Sequence, residues 1–226
     1  MTKQVRMQEE DEDGPMLRNP FGSEHLPYFE SSKKSRLITA YLDETIRESK
    51  YYRPLLQAIE TLQQGDILQL NVNSYGGMLD GAVSIINSMQ ETEADVFCFI
   101  DGVAASAASM IALASPNLSV GPYASMMIHS ATFGSFGKQS DVISHASFMD
   151  KRVKVLMQDI YEGFLTPKEL DDVFMGKEIW LNSDEIIERL ELRAEYQSKQ
   201  QEEAAKPKPK AKPRSKPKVK PEELSE

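Results

Sequence analysis

From about residue 36 onward, short apolar runs alternate with longer segments of helical spacing. Leu37-Ile38-Thr39-Ala40-Tyr41-Leu42 reads as a strand, and Tyr52 to Leu62 sets Leu55, Leu56, Ile59 and Leu62 on one helical face. Ile67-Leu68-Gln69-Leu70-Asn71-Val72 is a second strand, ending in the turn Asn73-Ser74-Tyr75-Gly76-Gly77. Residues 79–90 carry Leu79, Ala82, Val83, Ile86 and Met89 on one side of a helix. The run Val96-Phe97-Cys98-Phe99-Ile100 predicts a buried strand, and a helix starts at Ser106. Ser125-Met126-Met127-Ile128 predicts a further strand that delivers His129. After the Gly-rich Phe133-Gly134-Ser135-Phe136-Gly137 come a long helix at about 139–162 and a short one near 167–174. Glu178-Ile179-Trp180-Leu181 leads to a last helix after Asn182-Ser183. Strand–helix alternation of this kind predicts an α/β fold of stacked βαβ units with right-handed crossovers.

The two ends break this pattern. Residues 1–33 are acidic, lack periodicity and are punctuated by Pro and Gly, so they read as an arm with order near Leu26-Pro27-Tyr28-Phe29. Residues 197–226 run into repeated Lys-Pro elements that cannot bury enough apolar surface to fold alone. A folded domain over 34–196 between two disordered tails is the expected organisation.

Charge sharpens the division. The chain of 226 residues has a formal charge of −9. Residues 206–226 hold eight Lys or Arg against three Glu, a net +5, which leaves −14 for the rest. The acidic body argues against nucleic-acid binding by the domain, and only the basic tail suits such a partner. No run of about 20 apolar residues occurs, so no membrane span is expected. The acidic start is unlike a secretory signal, and the single Cys98 fits a reducing compartment, so a cytoplasmic location is expected. Cys98 sits in an apolar strand and reads as a buried structural thiol. No Cys/His cluster suggests a metal, and no Gly-rich phosphate loop suggests a bound nucleotide.

The candidate chemistry lies in Gly102-Val103-Ala104-Ala105-Ser106-Ala107-Ala108-Ser109-Met110. A strand that turns on small residues into a helix can hold one hydroxyl where the free N–H groups of the first helical turn point outward. Ser106 there is either a helix N-cap or a nucleophile beside an oxyanion site, and the two are geometrically compatible. Ser109 is its rival, one turn inside the helix. A serine nucleophile needs a base, and His129 is the best available. His25 lies in the arm, and His145 lies inside the long helix, where packing suits it better.

Three ordered segments resemble the proteolytic subunit of Clp protease. Asn73-Ser74-Tyr75-Gly76-Gly77 is similar to that family's N-S-P-G-G loop, Gly102-Val103-Ala104-Ala105-Ser106 to its G-x-A-A-S motif, and Met127-Ile128-His129 to its M-I-H motif. Residues 133–141 resemble its Gly-rich handle strand entering the handle helix. The resemblance spans about 36–192 and implies a Clp/crotonase-like fold and a serine endopeptidase working through an acyl-enzyme. It implies Ser106 as nucleophile, His129 as base, and Glu178, aligned through Trp180-Leu181, as the third member, with Asp171 and Asp172 as fallbacks. It assigns the oxyanion donors to the N–H groups of Gly77 and Ala107. Glu178 stands where the family usually has Asp, Ile179 where it often has Arg, and Tyr75 where it has Pro. By the same resemblance the enzyme binds no metal or other cofactor, and ATP is used only by a partner AAA+ unfoldase. The expected partners are protein or peptide substrates and copies of the chain in a homo-oligomeric ring, a heptamer or two stacked heptamers. A viral capsid-precursor protease of the same fold, an inactive ring subunit and, more remotely, a crotonase-like acyl-CoA enzyme are the alternatives.

Overall fold

A computed structural model describes residues 16–18, 24–32 and 35–205. Residues 1–15 of the acidic arm and 206–226 of the Lys/Pro tail lie outside the described residues. One mixed sheet of eight strands organises the chain. Its centre is parallel and its edges are antiparallel. Strand β3 (Arg36–Leu42) pairs in parallel with β4 (Ile67–Ser74), and β4 with β5 (Asp95–Ala105). Strand β5 pairs in parallel with both β6 (Asn117–Val120) and β7 (Ser125–Ile128), on successive parts of its length. Strand β8 (Ile179–Asn182) closes that side antiparallel to β7. On the other side β1 (Met16–Arg18) and β2 (Tyr28–Ser32) add an antiparallel meander against β3.

Side-chain alternation explains the central strands. Ile38, Ala40 and Leu42, then Leu68, Leu70 and Val72, then Val96, Cys98 and Ile100 are all buried on a period of two. They join one core with Leu55 and Ile59 of helix α1 (Ser49–Glu60) and Ile85 and Ile86 of α2 (Leu79–Glu91). Burial pushes the Cys98 thiol up to about 12, as suits an inert core sulfur.

Several expectations need correction. In the segment read as an arm with order near Leu26-Pro27-Tyr28-Phe29, Leu26 and Tyr28 are buried against the core. The sheet extends further than that, as β2 follows β3 through five residue pairs to Ser32 and β1 adds to it. Strand β5 does not stop at Ile100 but runs on through the small residues to Ala105. The Gly-rich stretch 133–137 forms no strand, although the long helix α4 (Gln139–Tyr161) follows it as expected. The last helix α6 (Ser183–Ala205) continues eight residues past 197, where the tail was expected to begin.

Helix α3 (Ala107–Ala114) and helix α5 (Pro167–Phe174) complete the elements. Thr166 and Glu169 form a capping box at the start of α5, satisfying two N–H groups of the first turn. Arg189 of α6 donates to the same Glu169 carboxylate at 2.6 Å. This clamp ties α5 to α6, the helices that precede and follow β8 in the chain.

Candidate active site

The parallel register of β4, β5 and β7 assembles the site. Val103, Ala104 and Ala105 of β5 lie opposite Ser125, Met126 and Met127 of β7. The Ser106 amide continues this ladder by donating to Met127 O at 2.8 Å. Two residues on from Met127, just past the end of β7, is His129. Its Nε2 lies 2.7 Å from Ser106 Oγ. Two side chains 23 positions apart in sequence are thus brought into hydrogen-bond contact by one strand pairing.

Ser106 adopts φ 54° and ψ −123°, and among the described residues it is the only non-glycine with positive φ. Such a conformation costs about 1–3 kcal/mol and persists only where its surroundings enforce it. It forms a sharp strand-to-helix elbow that presents Oγ rather than burying it. The side chain makes no cap bond to α3, so the bare N-cap reading of Ser106 lacks its defining contact. Ser109 is different: it is wholly buried, donates to Ser106 O at 2.7 Å and lies 2.8 Å from the Tyr161 hydroxyl.

The glycine loop abuts this elbow. The register of β4 against β5 shifts between Val72 and Ser74, and Asn73 Oδ1 there accepts from Val103 N at 3.1 Å. Ser74, itself buried, donates to Glu44 O at 2.6 Å and accepts from Gly76 N at 3.1 Å. A Cβ on Gly76 (φ +92°) would lie 2.6 Å from Ala105 O and 2.8 Å from Ser106 Cβ, so only glycine permits the approach. A Cβ on Gly77 would meet Ile46 O at 2.2 Å. Ile46 N donates to Gly76 O and Met78 N donates to Ile46 O, an arrangement that leaves the Gly77 amide over. Among the described residues, neither the Gly77 nor the Ala107 N–H has an acceptor. Two free donors beside a presented hydroxyl can stabilise a developing oxyanion.

The remaining candidates separate clearly. Strand β8 pairs Ile179 with Ile128, so one further step of that register sets Glu178 across from His129. Among the described residues the Glu178 carboxylate bonds to Trp180 Nε1, at 3.3 Å, and not to His129. Asp172 is engaged with Lys177 at 2.8 Å, and Asp171 is an exposed residue of α5. His25 Nδ1 meets Tyr51 O at 3.3 Å, and the His145 ring stands edge-on to Phe133. Sequence reasoning gave no role to Ser74, Asn73 or the Trp180 indole. A serine two residues before a Gly-Gly pair is a turn signal that could have marked Ser74.

A family model described as Clp protease matches residues 29–189, well over half of the chain. The chain belongs to the Clp protease family. Among relatives of this Clp-family protein is the ATP-dependent Clp protease proteolytic subunit 1 of Chlamydia caviae. It is 25% identical over 131 residues, which is 56% of this chain and 69% of the relative. The ATP-dependent Clp protease proteolytic subunit of Bacteroides fragilis is 27% identical over 129 residues, 56% of this chain and 62% of the relative. That of Chlamydia muridarum, a subunit 1, is 26% identical over 135 residues. The matched segment thus spans a little under two thirds to about 70% of these relatives. The family boundary at 29 agrees with the sheet, which β2 enters at Tyr28.

Proposed function

We propose that this Clp-family protein is a serine endopeptidase. The observation that carries the reading is the 2.7 Å contact between His129 Nε2 and the Oγ of a Ser106 held in a strained elbow. Ser106 Oγ attacks the peptide carbonyl carbon while His129 Nε2 takes the hydroxyl proton. Negative charge collects on the carbonyl oxygen, within reach of the Gly77 and Ala107 N–H groups. His129 then gives its proton to the leaving amine, and an acyl-Ser106 ester remains. Water, deprotonated by His129, attacks the ester; the acid product leaves and Ser106 regains its proton. Glu178 orients His129 and favours its charged form.

The ring assembly expected of the family is part of this proposal. Helix α4 exposes Ile143, Phe148 and Val155, apolar side chains that a neighbouring copy would cover. A heptamer would enclose the sites, and an ATP-driven unfoldase would deliver substrate to them. None of the helices among the described residues is long and apolar enough to cross a membrane.

The test is hydrolysis of fluorogenic peptides by the wild type, Ser106→Ala and His129→Ala. The proposal requires cleavage by the wild type and near-complete loss in both variants. A second reading, an inactive ring subunit, draws on the lack of a bond between Glu178 and His129. Absence of cleavage by an assembled wild-type ring would favour it.

A further inference from the structure

The Glu178 carboxylate is half used. Its Oε2 accepts the indole N–H of Trp180 at 3.3 Å, while Oε1 has no hydrogen-bond partner among the described residues. Glu178 has one more rotatable bond than an aspartate, and it is exposed, so an unanchored carboxylate would sample several positions. Trp180 lies two residues on, in the strand whose register with β7 brings Ile179 against Ile128 and Trp180 against Met127. Its backbone is therefore fixed to the same strand, β7, that leads into His129. The indole is a donor with no acceptor capacity, so it bonds to a carboxylate and leaves the second oxygen free.

We propose that Trp180 is a positioning residue: its indole N–H anchors Glu178 Oε2 so that Oε1 is left to receive the Nδ1 proton of His129. This rests on the reading of Glu178 as the third member of a Ser106–His129 site. It explains how a glutamate can serve where an aspartate would be shorter and better fixed. The anchor holds the flexible end of the side chain on the β8 backbone frame. From that anchor the carboxylate turns its second oxygen toward the imidazole that the β7–β8 register sets across from it, as positive charge develops there. A phenylalanine ring, which carries no donor, cannot do this.

The test compares four forms of the 226-residue chain, wild type, Trp180→Phe, Glu178→Ala and the double variant, with Glu93→Ala and Ser106→Ala as controls. Phenylalanine keeps the ring and removes the donor. Trp180→Phe should lower kcat for peptide hydrolysis about fivefold with KM unchanged, the scale of one partly exposed hydrogen bond to a charged group. In the Glu178→Ala background the same change should do nothing further. Trp180 is the single tryptophan of the chain, so emission excited selectively from tryptophan comes from this residue alone. Emission should change in Glu178→Ala and stay as in the wild type in Glu93→Ala, an exposed site between α2 and β5. An equal loss from Trp180→Phe in both backgrounds would overturn the proposal, since Trp180 would then act through packing. So would an unchanged kcat in Trp180→Phe, or an emission spectrum indifferent to Glu178. Wild-type kcat in Glu178→Ala, with Ser106→Ala still dead, would remove Glu178 from the site and this role with it. A dead wild type would instead overturn the peptidase reading itself.

Discussion

Ser109 Oγ and the Tyr161 hydroxyl meet 2.8 Å apart inside the core, tying the first turn of α3 to the end of α4. Both side chains are buried, and burial pushes the tyrosine well above its usual range, so the pair is neutral and structural. Ser109→Ala leaves the Tyr161 hydroxyl without a partner in the core. We expect a loss of about 1–3 kcal/mol in stability, with Ser106 still reactive. Chemical denaturation together with labelling by a fluorophosphonate probe checks both halves. Adding Tyr161→Phe should recover part of the stability, since both partners are then gone.

Gly76 is where the glycine loop touches Ser106, the proposed nucleophile. In Gly76→Ala the new Cβ would fall within 3 Å of both Ala105 O and Ser106 Cβ, at a φ that alanine avoids. The loop must move away, taking the Gly77 donor with it. Activity should fall about a hundredfold, the scale of losing one oxyanion donor. Peptide kinetics on a variant whose circular dichroism matches the wild type provide the measurement.

Ser74 holds that loop from beneath by joining Glu44 O to Gly76 N. Ser74→Ala leaves a buried amide and a carbonyl unpaired, at about 1–3 kcal/mol in stability. A slower acylation of Ser106 should accompany the lower unfolding midpoint, because the loop loses its support. Stopped-flow probe labelling would expose the idea as wrong if acylation kept its wild-type rate.

The Arg189–Glu169 clamp gives the fold an acid limit. The Arg189 guanidinium, and less strongly the Thr166 cap, hold Glu169 down to about 2 from an ordinary 4.5. A carboxylate depressed in the folded state contributes stability above its unfolded value and loses it as pH falls towards its folded one. The contribution is therefore complete above about pH 5 and disappears between pH 4.5 and about 2. After allowance for solvent screening it amounts to about 1–2 kcal/mol. Denaturation of the wild type and Glu169→Gln across this window should give curves that converge at low pH. Parallel curves would contradict the assignment.

How much of this was legible in the sequence depended on which force set each element. Strand β7 and His129 were readable because an apolar run must be buried and because Met127-Ile128-His129 sits in order behind the serine motif. The central strands β3 and β4 were readable from their alternation. Strand β6 was not: Asn117–Val120 is half exposed, and its pairing with β5 supplies what its composition does not. The extension of β5 to Ala105 was hidden because Gly102, Ala104 and Ala105 have little strand preference. Their size matters instead, letting Asn73 and Gly76 approach. In the arm only the stretch near Leu26-Pro27-Tyr28-Phe29 suggested order, because Leu26 and Tyr28 carry its burial and the rest of β2 depends on β3 as a template. At the site, residue types and order pointed to Ser106 and His129. The bond from Trp180 to Glu178 depends on side-chain rotamers, about which spacing says nothing.

The central claim is that Ser106 is the residue that becomes acylated. Its most direct test is mass spectrometry of the intact protein after reaction with a fluorophosphonate probe, followed by peptide mapping of the adduct. The account predicts a single adduct per chain, on Ser106, absent from Ser106→Ala and strongly slowed in His129→Ala. An adduct on Ser109, or one that persists undiminished in Ser106→Ala, would contradict it.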